Sequence, residues 1–272
     1  MGQSLSDRQK EYEDAYDTTI IRRLPIIIRL DGRSFSKLTK KLPKPFCSKF
    51  VELMTNTTLE LVKQIDGAVF AYQQSDEISI IVKNDNNEDT TPWFGNRIQK
   101  IASISASIAT YEFNKYLWEM SNKPELHGTP LFDARVFAVP DIVEALNYLV
   151  FRQQDCARNA VTGALYAALG NKYGRGTARK LMEGKSLPER LEMLWEECQI
   201  EYEQDYPVSF RNGIGAYLVP KFYSTPFGNV NRNRWILDFN LPRVVEDRDF
   251  FHGIIKTGRD VFRQERDLEI DG

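Results

Sequence analysis

Two aspartates carry the clearest chemical signal in this chain. Asp31 follows the compact apolar run Leu24 to Leu30, which reads as a buried strand, and the Asp31-Gly32 pair can turn the chain after it. Asp76 lies in Gln74-Ser75-Asp76-Glu77, a tight turn between two further strand-like runs, Ala68 to Gln73 and Ile78 to Lys83. If the first and third strands are neighbours in a sheet, these carboxylates converge at one edge. Two convergent carboxylates beside a glycine with an unshielded carbonyl make a site for hard divalent cations. Mg²⁺ takes one or two carboxylates, waters and substrate phosphates. Two such ions about 3.5–4 Å apart can activate an attacking hydroxyl and stabilise a leaving pyrophosphate. Glu77 is adjacent and can serve as a further ligand or orient one. Asp, Ser and Gly also favour plain turns, and the pattern by itself leaves that reading open.

Basic residues stand where a triphosphate would need them. Lys37, Lys40, Lys41 and Lys44 follow the Asp-Gly turn, and Arg97 and Lys100 lie one helical turn apart. A helix start after Asp31-Gly32-Arg33 adds backbone N–H groups. A solvated charged face is the competing reading, because it is the usual fate of Lys and Arg. Three Cys, at 47, 156 and 198, have no CxxC spacing, and two His are too few for an imidazole-built zinc site.

The elements that must position these groups are legible in the pattern. A charged helix is expected over 5–18. Apolar residues at helical spacing mark a helix over 46–65, and a long helix runs from Trp93 to about Trp118 with Ile and small residues on its inner face. Phe132 to Val139 reads as a fourth strand. The order β-α-β-β-α-β is the ferredoxin-like palm, an antiparallel sheet with two helices on one face, so the fold class is α+β. After Pro140 the chain reads as mainly helical, over 141–169, 177–183 and 188–198, with strand-like pieces near 214–219 and 234–238. Asp141 can cap the helix that follows the last palm strand. We expect a palm-like catalytic unit over 1–140 and a mainly helical unit over 141–272, packed as one body. Length and composition agree: 272 residues, 42% hydrophobic and 27% charged, describe a globular chain. With 36 Lys plus Arg against 38 Asp plus Glu, any nucleic-acid site must be a local basic patch. No apolar run approaches the ~20 residues of a membrane span, so no membrane partner is expected. The odd cysteine count fits a reducing compartment, the cytoplasm.

RLDGRSF (29–35), YQQSDE (72–77), the WFxxRxxK helix start (93–100), FDARVF (132–137), YLVFRQQDCARNAV (148–161) and FRNG (210–213) together resemble the tRNA-histidine guanylyltransferase family. The likeness spans about residues 20 to 220. It implies a reverse polymerase, a palm that adds nucleotides to the 5′ end of tRNA. It further implies that Asp31, Asp76 and the Gly32 carbonyl hold two Mg²⁺ ions, with Asp31, Asp76 and Glu77 as the catalytic carboxylates. Nucleotide contacts are implied for Gly32, Arg33, Ser34, Phe35, Lys44, Ser75, Arg97 and Lys100, and RNA contacts for Arg135, Arg152 and Asn159. ATP, GTP or other nucleoside triphosphates are the implied substrates, and a homotetramer the implied assembly. Ala157-Arg158-Asn159-Ala160-Val161 stands where the histidine-specific enzymes carry His-Ile-Asn-Asn-Leu. This points to the guanylyltransferase-like branch, which resembles templated repair enzymes for 5′-truncated tRNA acting after ATP-dependent 5′ adenylylation. Addition of an extra guanylate to tRNA-histidine, a palm-type nucleotide cyclase and a non-catalytic tRNA-binding module are the alternatives.

Overall fold

The computed structural model describes residues 3–85, 89–121, 130–225 and 228–260. Six strands, β1 (Ile26–Arg33), β2 (Ala68–Gln74), β3 (Glu77–Val82), β4 (Leu131–Ala138), β5 (Ile214–Thr225) and β6 (Gly228–Asp238), form one sheet in the order β4-β1-β3-β2-β5-β6. Every neighbouring pair is antiparallel. The first four strands, with the helices Ser48–Gln64 and Ile98–Ser121, give the expected β-α-β-β-α-β order, and β1 and β3 are neighbours.

Both faces of the sheet are covered, which is why β2 and β3 are buried along their whole length. On one face, Ile26, Ile28 and Leu30 of β1 and Ile78 and Ile80 of β3 pack with Met54, Leu61, Ile101 and Phe113 from the two palm helices. On the other, Phe70, Tyr72, Ile81 and Tyr217 pack with Leu146 and Leu149 of the long helix Ile142–Tyr173 and with Phe251 and Ile254 of the helix Arg248–Thr257. Strand alternation assigns the two sets to opposite faces. A third cluster, with Leu165, Leu169 and Leu194, holds the helices after residue 160 together.

Four details depart from the sequence pattern. The first helix ends at Asp14 rather than near 18. The long palm helix does not begin at Trp93: Phe94, Gly95 and Asn96 have positive φ, and regular helix starts at Ile98. The helix after Asp141 reaches Tyr173, and Asp141 caps it by accepting from Glu144 N–H at 2.9 Å. The short strand-like pieces after 210 are parts of the long strands β5 and β6, and β5 pairs with β2, so the palm sheet continues into the C-terminal half.

Candidate active site

Register builds the site. Asp31 on β1 lies opposite Glu77 on β3 and opposite Asp133 on β4. Residues directly opposite one another point to the same face, so Asp133, Asp31 and Glu77 form one row across three strands. The next row on that face is Arg135, Arg29 and Ser79. Asp76 occupies the two-residue turn between β2 and β3. Gly32 N–H donates to the Asp76 carbonyl at 3.1 Å, which ties the end of β1 to that turn. Ser34 and Ser75, the non-glycine residues flanking the two segments, both have left-handed φ, 60° and 49°. Such a backbone costs about 1–3 kcal/mol and persists where surrounding structure imposes it.

The carboxylates differ in their partners. Asp76 accepts from Ser75 Oγ at 3.1 Å, and among the described residues no cation pairs with it. Burial pushes its carboxyl above the ordinary range, and the charges of Asp31 and Glu77 push the same way. Asp31 has one cation nearby, Arg29 Nη2 at 4.0 Å. Glu77 is fully engaged. Arg152 donates to it from Nε at 2.6 Å and from Nη2 at 2.8 Å, and Arg29 Nη2 donates at 2.5 Å. Arg152 also pairs with Asp155 at 2.8 Å. Among the described residues, no group of three or more His, Cys, Asp or Glu side chains is arranged to hold a metal. The donor set that would suit a hard cation is two carboxylates, Asp31 and Asp76, with the backbone carbonyl of Gly32, the residue after Asp31.

Beside Ser75 opens a cavity of about 210 Å³. Leu42, Pro45, Phe46, Phe50, Phe210 and Ile214 give it apolar walls, and Lys44, Gln74, Ser75 and Asn159 border it. Among the described residues no Asp or Glu lines it. Cys47 and Cys156 also line it, and burial pushes the Cys156 thiol up to about 11, so this thiol is inert at neutral pH.

The remaining expected residues fall in four places. Arg33 and Ser34 are exposed at the end of β1, while Phe35 is buried under Gly32, packed on Phe113 and Phe132 at ring-centroid distances of 5.1 and 5.0 Å. It supports the strand end and has no surface to offer a nucleotide. Arg135 is exposed on the edge strand β4. Arg152, expected on the RNA path, is instead 4% exposed and turned inward, bonded through Nε and Nη2 to Glu77 and through Nη2 to Asp155. Arg97 and Lys100 sit at the opposite end of the sheet. Arg97 pairs with Asp17 at 3.7 Å, and the Lys100 ammonium stands 5.4 Å from the Phe94 ring centre. Phe113, packed on Phe35 beneath Gly32, is 13 residues further along the same helix, an axial distance of about 20 Å. One chain alone does not bring these two cations to the carboxylates.

Sequence reasoning missed Arg29, Asp133 and Asp155. The signal was present for the first two: Arg29 and Asp31, and Asp133 and Arg135, are each two residues apart on a strand and share a face.

Known proteins resemble the chain over this whole region. The pattern that defines the family described as tRNAHis guanylyltransferase (Thg1) matches residues 6–140. A probable tRNA(His) guanylyltransferase of Dictyostelium discoideum is 31% identical over 223 residues, 79% of this chain and 84% of that protein. A bacterial tRNA(His) guanylyltransferase-like protein solved in complex with ATP is 33% identical and superposes with a TM-score of 0.79, over 93% of this chain and 99% of that one. The structure of a bacterial protein of the same description with GTP superposes with a TM-score of 0.72, at 32% identity, over 93% of this chain and 99% of that one.

Proposed function

We infer the function from one premise: the chain belongs to the tRNAHis guanylyltransferase family, and it is a nucleotidyltransferase. The reading is a Mg²⁺-dependent 3′–5′ nucleotidyltransferase that restores nucleotides at the 5′ end of truncated tRNA, using the opposite acceptor strand as template. The observation that carries it is the pair Asp31 and Asp76, drawn together by the Gly32–Asp76 backbone bond, with no cation on Asp76 among the described residues.

Asp31, Asp76 and the Gly32 carbonyl would hold Mg²⁺, which when bound neutralises phosphoryl oxygens and makes a hydroxyl a better nucleophile. The chain's own residues do the rest. The cavity beside Ser75 seats a base and keeps water from one side of it. Lys44 at its border offsets phosphate charge. The Arg29–Arg135 row lies next to the carboxylate row, where an RNA 5′ phosphate would approach over the exposed edge strand β4. The reaction has two stages. The RNA 5′ phosphate first attacks the α-phosphate of ATP, releasing pyrophosphate and leaving a 5′-adenylylated end. The 3′-hydroxyl of an incoming nucleotide then attacks the RNA 5′ phosphorus and AMP leaves. Both are in-line phosphoryl transfers and can share one set of carboxylates.

Two features favour repair over a fixed guanylate addition. Ala157 to Val161 lacks the histidine and one of the asparagines of the histidine-specific stretch, and Asn159 there is exposed at the rim of the cavity. Base pairing can select the nucleotide without help from the protein. The separation of Arg97 and Lys100 from the carboxylates supports a site completed by a second copy, as in a homotetramer, and three free cysteines support a cytoplasmic home. The test is a tRNA lacking its first nucleotide, prepared with each of the four opposing bases and compared with full-length tRNA-histidine. The nucleotide added should follow the opposing base and addition should stop at a paired end. Guanylate addition whatever the base, with tRNA-histidine the better substrate, refutes the repair reading. Nucleotide consumption without RNA would indicate a cyclase, and no turnover a binding module.

A further inference from the structure

We propose that Glu77 is a positioning residue, whose task is to hold the Arg29 guanidinium off Asp31 so that Asp31 stays available to a divalent cation. The proposal rests on the metal-site reading above and adds a role for the two residues beside it.

The geometry is specific. Arg29 and Asp31 are two residues apart on β1 and share a face, so an arginine is built in beside a carboxylate that must remain free. Arg29 Nη2 nevertheless stops 4.0 Å from Asp31 Oδ2, outside hydrogen-bond range, and bonds Glu77 Oε2 at 2.5 Å instead. Glu77 in turn cannot swing towards the metal side. Arg152, reaching across from the helix Ile142–Tyr173, grips both of its oxygens at 2.6 and 2.8 Å. Asp155 steadies Arg152 from one turn further along the helix. A carboxylate held by three charge-assisted bonds from two arginines is a poor metal ligand, because the bonds fix its orientation and the two guanidinium charges repel a cation. Arg29 Nε is buried without a partner, so the guanidinium is held at one end only, and losing Glu77 would free it to turn onto Asp31. There it would form the charge-assisted pair that a cation must then displace.

This predicts epistasis: Arg29→Met should strengthen Mn²⁺ binding far more in Glu77→Gln than in the wild-type background, whereas loss of a positive charge alone would act equally in both. The experiment titrates Mn²⁺ into the full chain with a non-hydrolysable ATP analogue, reading free Mn²⁺ by electron paramagnetic resonance, with thermal melting as the check on folding. Glu77→Gln should weaken Mn²⁺ binding by about tenfold, the scale of one charge-assisted bond in competition with the ion. Adding Arg29→Met to Glu77→Gln should recover most of that loss, because the competing cation is gone. If Glu77→Gln unfolds, the comparison is repeated in Glu77→Gln/Arg152→Gln, where the most deeply buried guanidinium no longer faces an amide. Wild-type Mn²⁺ affinity in a folded Glu77→Gln variant overturns the proposal. So does failure of Arg29→Met to recover binding, which would make Glu77 a ligand itself. A separate result bears on the parent reading: if Asp31→Asn and Asp76→Asn both bind Mn²⁺ as wild type does, the metal site is not there, and the positioning role falls with it.

Discussion

Gly32 has no room for a methyl group, and that makes it the sharpest single test of how the site is supported. A Cβ at Gly32 would stand 2.4 Å from Phe35 Cδ2, 2.6 Å from Cγ and 2.8 Å from Cε2. Phe35 cannot simply step aside. It is 2% exposed and packed against Phe50, Phe113 and Phe132 at centroid distances of 6.2, 5.1 and 5.0 Å. Gly32→Ala must therefore push Phe35 off its rotamer or lift the end of β1. Overpacking of this kind costs about 1–3 kcal/mol. For a chain of this size each kcal/mol lowers the melting temperature by roughly 2–4 °C, so a loss of about 2–12 °C is expected. If β1 lifts, the Gly32–Asp76 bond at 3.1 Å stretches and the two aspartates separate. A displacement of about 1 Å at reacting groups can cost a hundredfold in rate. Scanning calorimetry and single-turnover nucleotide addition read the two effects. Gly32→Ala/Phe35→Leu should lose less stability than the sum of the single variants, because the smaller side chain removes the clash. A Gly32→Ala variant with wild-type melting and wild-type turnover would refute the reasoning, since the contact would then be yielding at no cost.

Three further outcomes follow from the same geometry. Asp76→Asn should abolish nucleotide transfer yet raise the melting temperature at neutral pH. Burial raises the folded-state pKa of Asp76, so the ionised side chain destabilises the fold above that pKa, and the gain from Asn should shrink as pH falls through it; melting measured across pH checks this, and a lower melting temperature at neutral pH would contradict it. Chains carrying Lys100→Ala and chains carrying Asp76→Asn, each impaired alone, should regain part of their activity when co-assembled, because a shared site can draw its carboxylates from one copy and its cations from another; no recovery in a mixed assembly confirmed by mass would place the whole site within one chain. Gly213→Ala should lower the melting temperature by several degrees, since Gly213 has a φ of 83° and its added Cβ would meet Tyr72 Oη at 2.4 Å, breaking the 2.8 Å bond from that hydroxyl to the Asn212 carbonyl; unchanged melting would count against it.

Much of this was legible in the sequence because the palm elements are locally determined. The β-branched run before Asp31, the turn at Ser75-Asp76 and the spacing of apolar groups in 46–65 each announce their own element, and the order of elements then makes β1 and β3 neighbours. What depended on distant partners was not legible. The pieces at 214–219 and 234–238 read as short strands because their extent is set by mutual pairing, and their docking beside β2 is a tertiary choice. The start of the long palm helix was misplaced because Phe94 and Asn96 adopt positive φ against their residue type. Arg97 and Lys100 were grouped with the carboxylates by motif, and the direction in which the helix runs past the sheet separates them. Arg152 was placed on the RNA path by the family resemblance, and its burial depends on partner carboxylates, Glu77 and Asp155, that the local pattern does not reveal.

The near-neutral charge of the chain then ceases to be an objection to a polyanionic substrate, because charge is sorted by register rather than by composition. Arg29-x-Asp31 on β1 runs antiparallel to Asp133-x-Arg135 on β4, so reversal of direction sets aspartate against aspartate and arginine against arginine. With parallel strands the same two sequences would have paired opposite charges and cancelled them. Like charges set opposite one another on a sheet are destabilising. Glu77 and Arg152 offset that cost on the arginine side by tethering Arg29. On the acidic side, Asp76 in the adjoining turn has no cation among the described residues; the Ser75 hydroxyl bonds it, and burial outweighs that bond. The row of Asp133, Asp31 and Glu77 concentrates negative charge of which the arginines engage Glu77 most closely. The adjacent positive row is open along the β4 edge, where Arg135 is exposed. A slip of one residue between β1 and β4 would send Asp31 and Asp133 to opposite faces and dissolve both rows. The apolar alternation of Ile26, Ile28 and Leu30 against Phe132, Ala134 and Val136 on the buried face therefore fixes the chemistry of the site as well as the core.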